Sequence, residues 1–228
     1  MFTCLAVFIN LIPAILNGQN IYIWSIVTCV YITVMTLVLI EGLNVKCFAA
    51  GVGCVGGVLV AGALELLLRD QIKMSGVLDS EWLYLYNLRK DNPIDLKAII
   101  FAMIIVGAVG AVMDVAMSIA SSLCEINEKS PDLPARELLK SGLTIGRDIM
   151  GTMANTLVLA YIGSALCCML LMVTYSSNVS QILNREQIAV EILQALAGSI
   201  GILAALPLTA ITSVLCLKPL NRIKRSVH

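Results

Sequence analysis

The sequence predicts an all-α integral membrane protein, a bundle of about six transmembrane helices forming a single domain with almost no soluble part. Three observations carry that expectation. Of 228 residues, 59% are hydrophobic and only 13% charged, well below the roughly 25% charged residues of a typical soluble domain. The apolar residues fall in long blocks, and about 18 such residues in a row suffice to cross a hydrocarbon core about 30 Å thick. No block shows the alternation of ~10-residue transmembrane β-strands, so helices are the way each segment satisfies its own backbone in lipid.

The same composition excludes several function classes. Net charge is zero, so nothing points to nucleic acid. The eight cysteines lie in or at the edges of apolar blocks without metal-ligand spacing, as small polarizable core residues do. The one histidine is the terminal His228. No cofactor, no metal site and no catalytic residue is expected. The first apolar segment lacks the basic start of a cleavable signal peptide.

The first span, about 2–17, contains Pro13 and ends at the turn signal Asn17-Gly18-Gln19-Asn20. The second, about 21–40, stops at Glu41-Gly42-Leu43-Asn44. The third, about 47–68, carries Gly51, Gly53, Gly56, Gly57 and Gly62, small residues that let neighbouring helices approach closely. A polar external segment, 69–96, follows. Asp79-Ser80-Glu81 reads there as a helix start, and Trp82, Tyr84 and Tyr86 favour the bilayer interface. The fourth span covers about 98–124. The polar segment 125–147 is expected to be cytoplasmic, broken at Ser130-Pro131, with Pro134 opening an amphipathic helix. The fifth and sixth spans, about 149–173 and 188–217, are joined by a polar turn, and a basic tail of Lys218, Arg222, Lys224 and Arg225 closes the chain.

Lysine and arginine orient the bundle. An even number of spans puts both termini on one side. Placing them in the cytoplasm leaves nine Lys/Arg inside (Lys46, Lys129, Arg136, Lys140, Arg147, Lys218, Arg222, Lys224, Arg225) and six outside (Arg69, Lys73, Arg89, Lys90, Lys97, Arg185). Both termini are therefore expected in the cytoplasm.

Asp114 carries the functional expectation. It lies on the order of 15 Å from Glu125 at 1.5 Å per residue, close to mid-membrane. A carboxylate there costs about 2.5–3.5 kcal/mol on insertion scales and needs a partner, a proton or water. Two uses fit: an ion or proton pathway, or a protonated Asp bonding two helices together. Gly107, Ala111, Asp114, Ser118, Ser121 and Glu125 recur at steps of four and three, which puts them on one helix face. That small, polar face is expected to meet other helices and not lipid. Thr152, Asn155 and Thr156 cluster at similar depth on the fifth span and could donate to a carboxylate or line water. Arg147 and Asp148 sit with Glu125 at the cytoplasmic boundary. Glu65 is expected to snorkel or to meet Arg69, and Glu41 and Glu191 lie at span ends, where charge is tolerated.

Two runs carry a resemblance: Gly107–Leu123 (GAVGAVMDVAMSIASSL) and Ser141–Tyr161 (SGLTIGRDIMGTMANTLVLAY). Both resemble the signature of the YibE/F-like family of bacterial membrane proteins, and a looser likeness covers nearly the whole chain. Members usually carry an additional N-terminal span or soluble region. The resemblance implies a short, YibF-type subunit in the bacterial inner membrane, paired as a homodimer or with a larger YibE-like paralogue. A more distant likeness is to one six-helix half of resistance-nodulation-division permeases, and equally to SecD and SecF. There a buried aspartate on the fourth span belongs to a proton relay, and two such halves pair around a pseudo-twofold axis. The large external domain of those permeases is missing between spans one and two.

The expected function is thus a subunit of a proton-coupled membrane transporter, with Asp114 taking and releasing a proton and Thr152, Asn155, Thr156, Ser118 and Ser121 responding to its charge. A non-transporting accessory or scaffold subunit, supporting a partner membrane protein, is the other class. An enzyme is not expected, since the chain shows no nucleophile–base pair, metal cluster or phosphate loop. The glycines of the third span lack the strand–turn–helix context of a nucleotide site.

Overall fold

A computed structural model describes residues 2–42, 44–72, 94–175 and 185–226, together with 76, 78, 82 and 86. The described residues are helical, with no strand among them. The expected helix start at Asp79–Glu81, Tyr84 and most of the turn between the last two spans lie outside the described residues.

The N-terminal helix has three parts: α1 (Phe2–Ala6), a π-helical turn (Val7–Leu11) and α2 (Ile12–Leu16). Pro13 explains the wide turn. Its ring would press on the carbonyl of Ile9, and a π turn opens the backbone where a proline removes a donor. Ile12 N–H accordingly donates to Val7 O, five residues back. The segment ends at Gly18, whose φ of 71° suits a residue without Cβ.

Five longer helices follow: α3 (Ile21–Glu41), α4 (Val45–Ile72), α5 (Leu96–Lys129), α6 (Ala135–Tyr175) and α7 (Glu186–Ser226). Each is long and apolar enough to cross a membrane, while Val7–Leu16 is a shorter apolar helix. The count of about six helices therefore holds, with the first one short. Asn20 caps α3 by accepting from Tyr22 N and Ile23 N, and Asp95 caps α5 by accepting from Lys97 N and Ala98 N. Gly42, at φ 72°, stops α3.

The helices alternate in direction. Tyr22, Arg69 and Asp95 meet at one end of the bundle, called here the Asp95 end. At the other, the Pro134 end, Lys218 Nζ donates to the carbonyl of Leu133. Thr3 and Thr36 line one cavity toward this same end, so the first helix begins there, where the last described helix also ends.

The centre is made by α4, α5 and α7. A Cβ on Gly57 would stand 2.6 Å from the Gly201 carbonyl, 2.8 Å from Val112 Cγ1 and 2.9 Å from Ala205 Cβ. One on Gly201 would stand 3.1 Å from the Gly57 carbonyl. Backbone thus meets backbone where α4 crosses α7, and the glycines of the third span serve that approach. The apolar side of α5, including Ile105, Val112, Val115 and Ile119, fills the groove between them.

One expectation changes at the Pro134 end. The amphipathic segment opened by Pro134 is not a separate helix but the first turns of α6, which runs unbroken for 41 residues. Glycines let it dock along α5: a Cβ on Gly142 would meet Leu123 at 2.8 Å, and one on Gly146 would meet Leu206 at 2.7 Å and Ile119 at 3.0 Å. Leu138 is wholly buried. The segment packs on protein, so nothing forces a break between it and the span.

Two substitutions test this packing. Gly57→Ala should lower stability by about 1–3 kcal/mol through overpacking. Gly163→Ala, where a Cβ meets nothing within 4 Å, should raise it by about 0.5–1 kcal/mol through helix propensity. Thermal unfolding of the purified variants in detergent reads both.

Candidate functional site

Packing its β-branched side into the α4–α7 groove turns the opposite side of α5 outward. That opposite side is the polar stripe. Gly107, Asp114 and Glu125 are exposed, and Ala111, Ser118 and Ser121 half-buried. Among the described residues the stripe meets other helices at Gly107, beside Tyr161 and Gln194, but is left exposed at Asp114 and Glu125. The reason is volume: the Ile, Val and Ala of α5 complement the glycine face of α4, and a helix cannot bury both sides against the same neighbours.

Asp114 sits near the middle of α5, about 27 Å from Leu96 and 22 Å from Lys129 at the usual rise. Its carboxylate has no hydrogen bond or ion pair among the described residues. Ser118 Oγ donates to the Asp114 backbone carbonyl at 2.8 Å, not to its side chain. Cys54 on α4 lies within electrostatic reach of it.

The α6 cluster is brought to the right level but not into contact. Gly142 beside Leu123, Gly146 beside Ile119 and Tyr161 beside Gly107 set the antiparallel register of α5 and α6, and interpolation puts Asp114 level with Thr152. Yet Thr152 Oγ1 donates to Ile149 O and Thr156 Oγ1 to Thr152 O, both at the helix's own backbone. Thr152, Asn155 and Thr156 are all exposed. Asn155 lies on the side of α6 opposite the buried Gly146 and Leu157. Toward the Pro134 end, Glu125 pairs with Lys129 at 2.7 Å on the solvent-facing last turn. Arg147 and Asp148 are exposed one helix away, with no ion pair between them among the described residues.

Two polar groupings escaped the sequence. The first is at the Asp95 end. Arg69 Nη1 donates to Tyr22 Oη at 2.6 Å, and Tyr22 Oη donates to Asp95 Oδ2 at 3.4 Å. The Arg69 guanidinium also lies 5.5 Å from the centre of the Tyr22 ring. Glu65, one turn below Arg69, is wholly buried. It does not snorkel, because α5 and α7 close over that side of α4. The second grouping is on α7 and α6: Gln187, Glu191 and Gln194 with Tyr161. Their steps of four and three are visible in the sequence, but short polar residues near a helix end give no sign that they are covered.

A family model described as YibE/F-like protein matches residues 1–219. The chain belongs to the YibE/F-like family. No match was found among curated proteins or among solved structures, so the arrangement of permease halves stays a resemblance of sequence. Family membership and five long apolar helices together describe a multi-pass membrane protein.

The Asp95-end network holds α3, α4 and α5 together. Tyr22→Phe keeps the ring against Phe101, now 5.0 Å between centroids, and removes only the hydroxyl. It should cost about 1–2 kcal/mol, as lost hydrogen bonds to charged partners do; chemical or thermal unfolding of the variant checks this.

Proposed function

We propose that this chain is a subunit of a multi-pass, proton-coupled membrane transporter in which Asp114 takes and releases the proton. The observation that carries the reading is an exposed aspartate at mid-helix with no hydrogen bond or ion pair to its carboxylate among the described residues. Lipid cannot be its neighbour cheaply, at about 2.5–3.5 kcal/mol on insertion scales and more by other estimates. Water, a proton or a second subunit must supply what the chain does not. The exposed polar residues of α6 at the same level extend that face, so the open side of α5 and α6 is where a partner seats. A second copy or a larger paralogue of the same family fits that role. In this reading the chain sits in a bacterial inner membrane with both ends in the cytoplasm, which the lysine and arginine bias supports. The chain performs no enzymatic reaction in this reading and uses no cofactor or nucleic acid.

A second reading has its own observation. The Thr152 and Thr156 hydroxyls are satisfied on their own helix, leaving the outward face for protein contact without transport. The chain would then be an accessory or scaffold subunit, and Asp114 a protonated interhelical donor.

Proteoliposomes with an entrapped pH dye and a potassium diffusion potential separate the two. Proton entry should exceed that of empty vesicles in the parent and fall to their level in Asp114→Asn. Equal flux in parent and variant sinks the relay. An Asp114→Asn variant that loses its oligomeric state without any parent flux favours the scaffold.

A further inference from the structure

α6 docks on the rest of the bundle by one side. Gly142, Gly146 and Leu157 face protein, and the opposite side is uncovered. Ser141, Thr144, Asp148, Gly151 and Asn155 recur along that outward side at steps of three and four, and Ile162 continues it seven residues beyond Asn155. All but the half-buried Ser141 are exposed. Steps of three and four are the seam of a left-handed helix pair, the usual crossing in membrane bundles. Small seam residues let a second helix come close. A Cβ on Gly151 would meet nothing within 4 Å, so the chain's own packing does not call for a glycine there.

The charges on this face say what fits it. Arg147 and Asp148 are adjacent in sequence, so their side chains leave the helix about 100° apart, and they form no ion pair with each other among the described residues. Asp148 lies in the seam and Arg147 flanks it. A second copy in the same membrane orientation is related by a two-fold axis along the bilayer normal, so its α6 runs parallel and contacts are made reciprocally. The flanking residue of each helix then lies against the seam residue of the other. Arg147 of each copy meets Asp148 of its mate, and the pair forms twice. Asn155 lies about 12 Å farther along the helix from Arg147, and its amide makes no hydrogen bond among the described residues. An amide is both donor and acceptor, so two Asn155 side chains on the axis satisfy each other. A lone asparagine in a seam fixes the register and number of the helices that share it. Lipid tails offer neither charge nor hydrogen bond. An unlike protein needs an acid, a base and an amide in matching places; a second copy has them already.

We propose that two copies of this chain pair in parallel through the outward faces of α6, with Arg147 and Asp148 in two reciprocal ion pairs and the Asn155 amides bonded across the axis. The inference deepens the proposed function by naming the occupant of the open side of α6; it rests on that placement and not on proton movement.

Native mass spectrometry of the chain expressed alone, released from detergent micelles across a dilution series, tests the pairing. The parent should read as twice the 24.4 kDa chain. Arg147→Asp and Asp148→Arg each set like charges against one another and should weaken the dimer several-fold. The double variant Arg147→Asp/Asp148→Arg restores both pairs in reverse and should recover it. Asn155→Leu should weaken the dimer roughly tenfold, as the loss of an interhelical hydrogen bond does in model helices. Helical circular dichroism equal to the parent's shows that the variants are folded. A parent that stays monomeric overturns the proposal and leaves the face to a larger paralogue. A dimer indifferent to all three single variants uses another face and overturns it too, as does a double variant no stronger than its singles. The relay is read separately: a dimer whose Asp114→Asn variant carries parental proton flux keeps this interface and loses the relay.

Discussion

Backbone contact between Gly57 and Gly201, with Val112 closing the third side, is the constraint on which the rest of the bundle depends. In lipid, helices gain little from hiding apolar surface, because the solvent is as apolar as they are; close packing has to supply the attraction. Two glycines at a crossing let α4 and α7 come within carbonyl-to-Cα distance. Gly53, one turn from Gly57, in turn accommodates the side chain of Thr209, two turns from Gly201. The groove left beside that crossing has a shape that accepts Ile, Val and Ala, and α5 supplies them.

Filling the groove with one side of α5 has a chemical consequence on the other. The stripe bearing Asp114 is displaced to the surface of the chain, where a soluble protein would leave it wet and a membrane protein cannot leave it to lipid. The same helix therefore builds the core and creates the unsatisfied face. α6 does not repair this. It docks on α5 and α7 through Gly142, Gly146 and Leu157, and its own polar residues turn outward at the level of Asp114.

The two ends of the bundle differ in how they handle charge. At the Asp95 end, Tyr22, Arg69 and Asp95 tie three helices together above the wholly buried Glu65, and Glu191 lies beneath partly covered oxygens. At the Pro134 end Arg136, Glu137 and Lys140 are exposed, and the pair Glu125–Lys129 sits within one helix turn with both side chains exposed, where such pairs contribute little.

What the sequence determined by itself was the class and most of the punctuation. Apolar block length dictates spanning helices; Gly18, Gly42 and the break at Ser130–Pro134 mark ends through backbone chemistry that is local; the mid-helix position of Asp114 follows from counting residues. Local rules suffice wherever the physics is local. The tertiary structure alone decided which face of each helix is covered. The periodicity of α5 shows that its two sides differ, but not that glycines on α4 and α7 would claim the apolar one and leave the polar one open. It equally decided that Glu65 is enclosed, that Gln187, Glu191 and Tyr161 share a seam, and that Thr152 stands level with Asp114 without touching it. Those outcomes depend on how helices far apart in the chain interlock, and interlocking is set by side-chain volumes meeting across space, which no single segment contains.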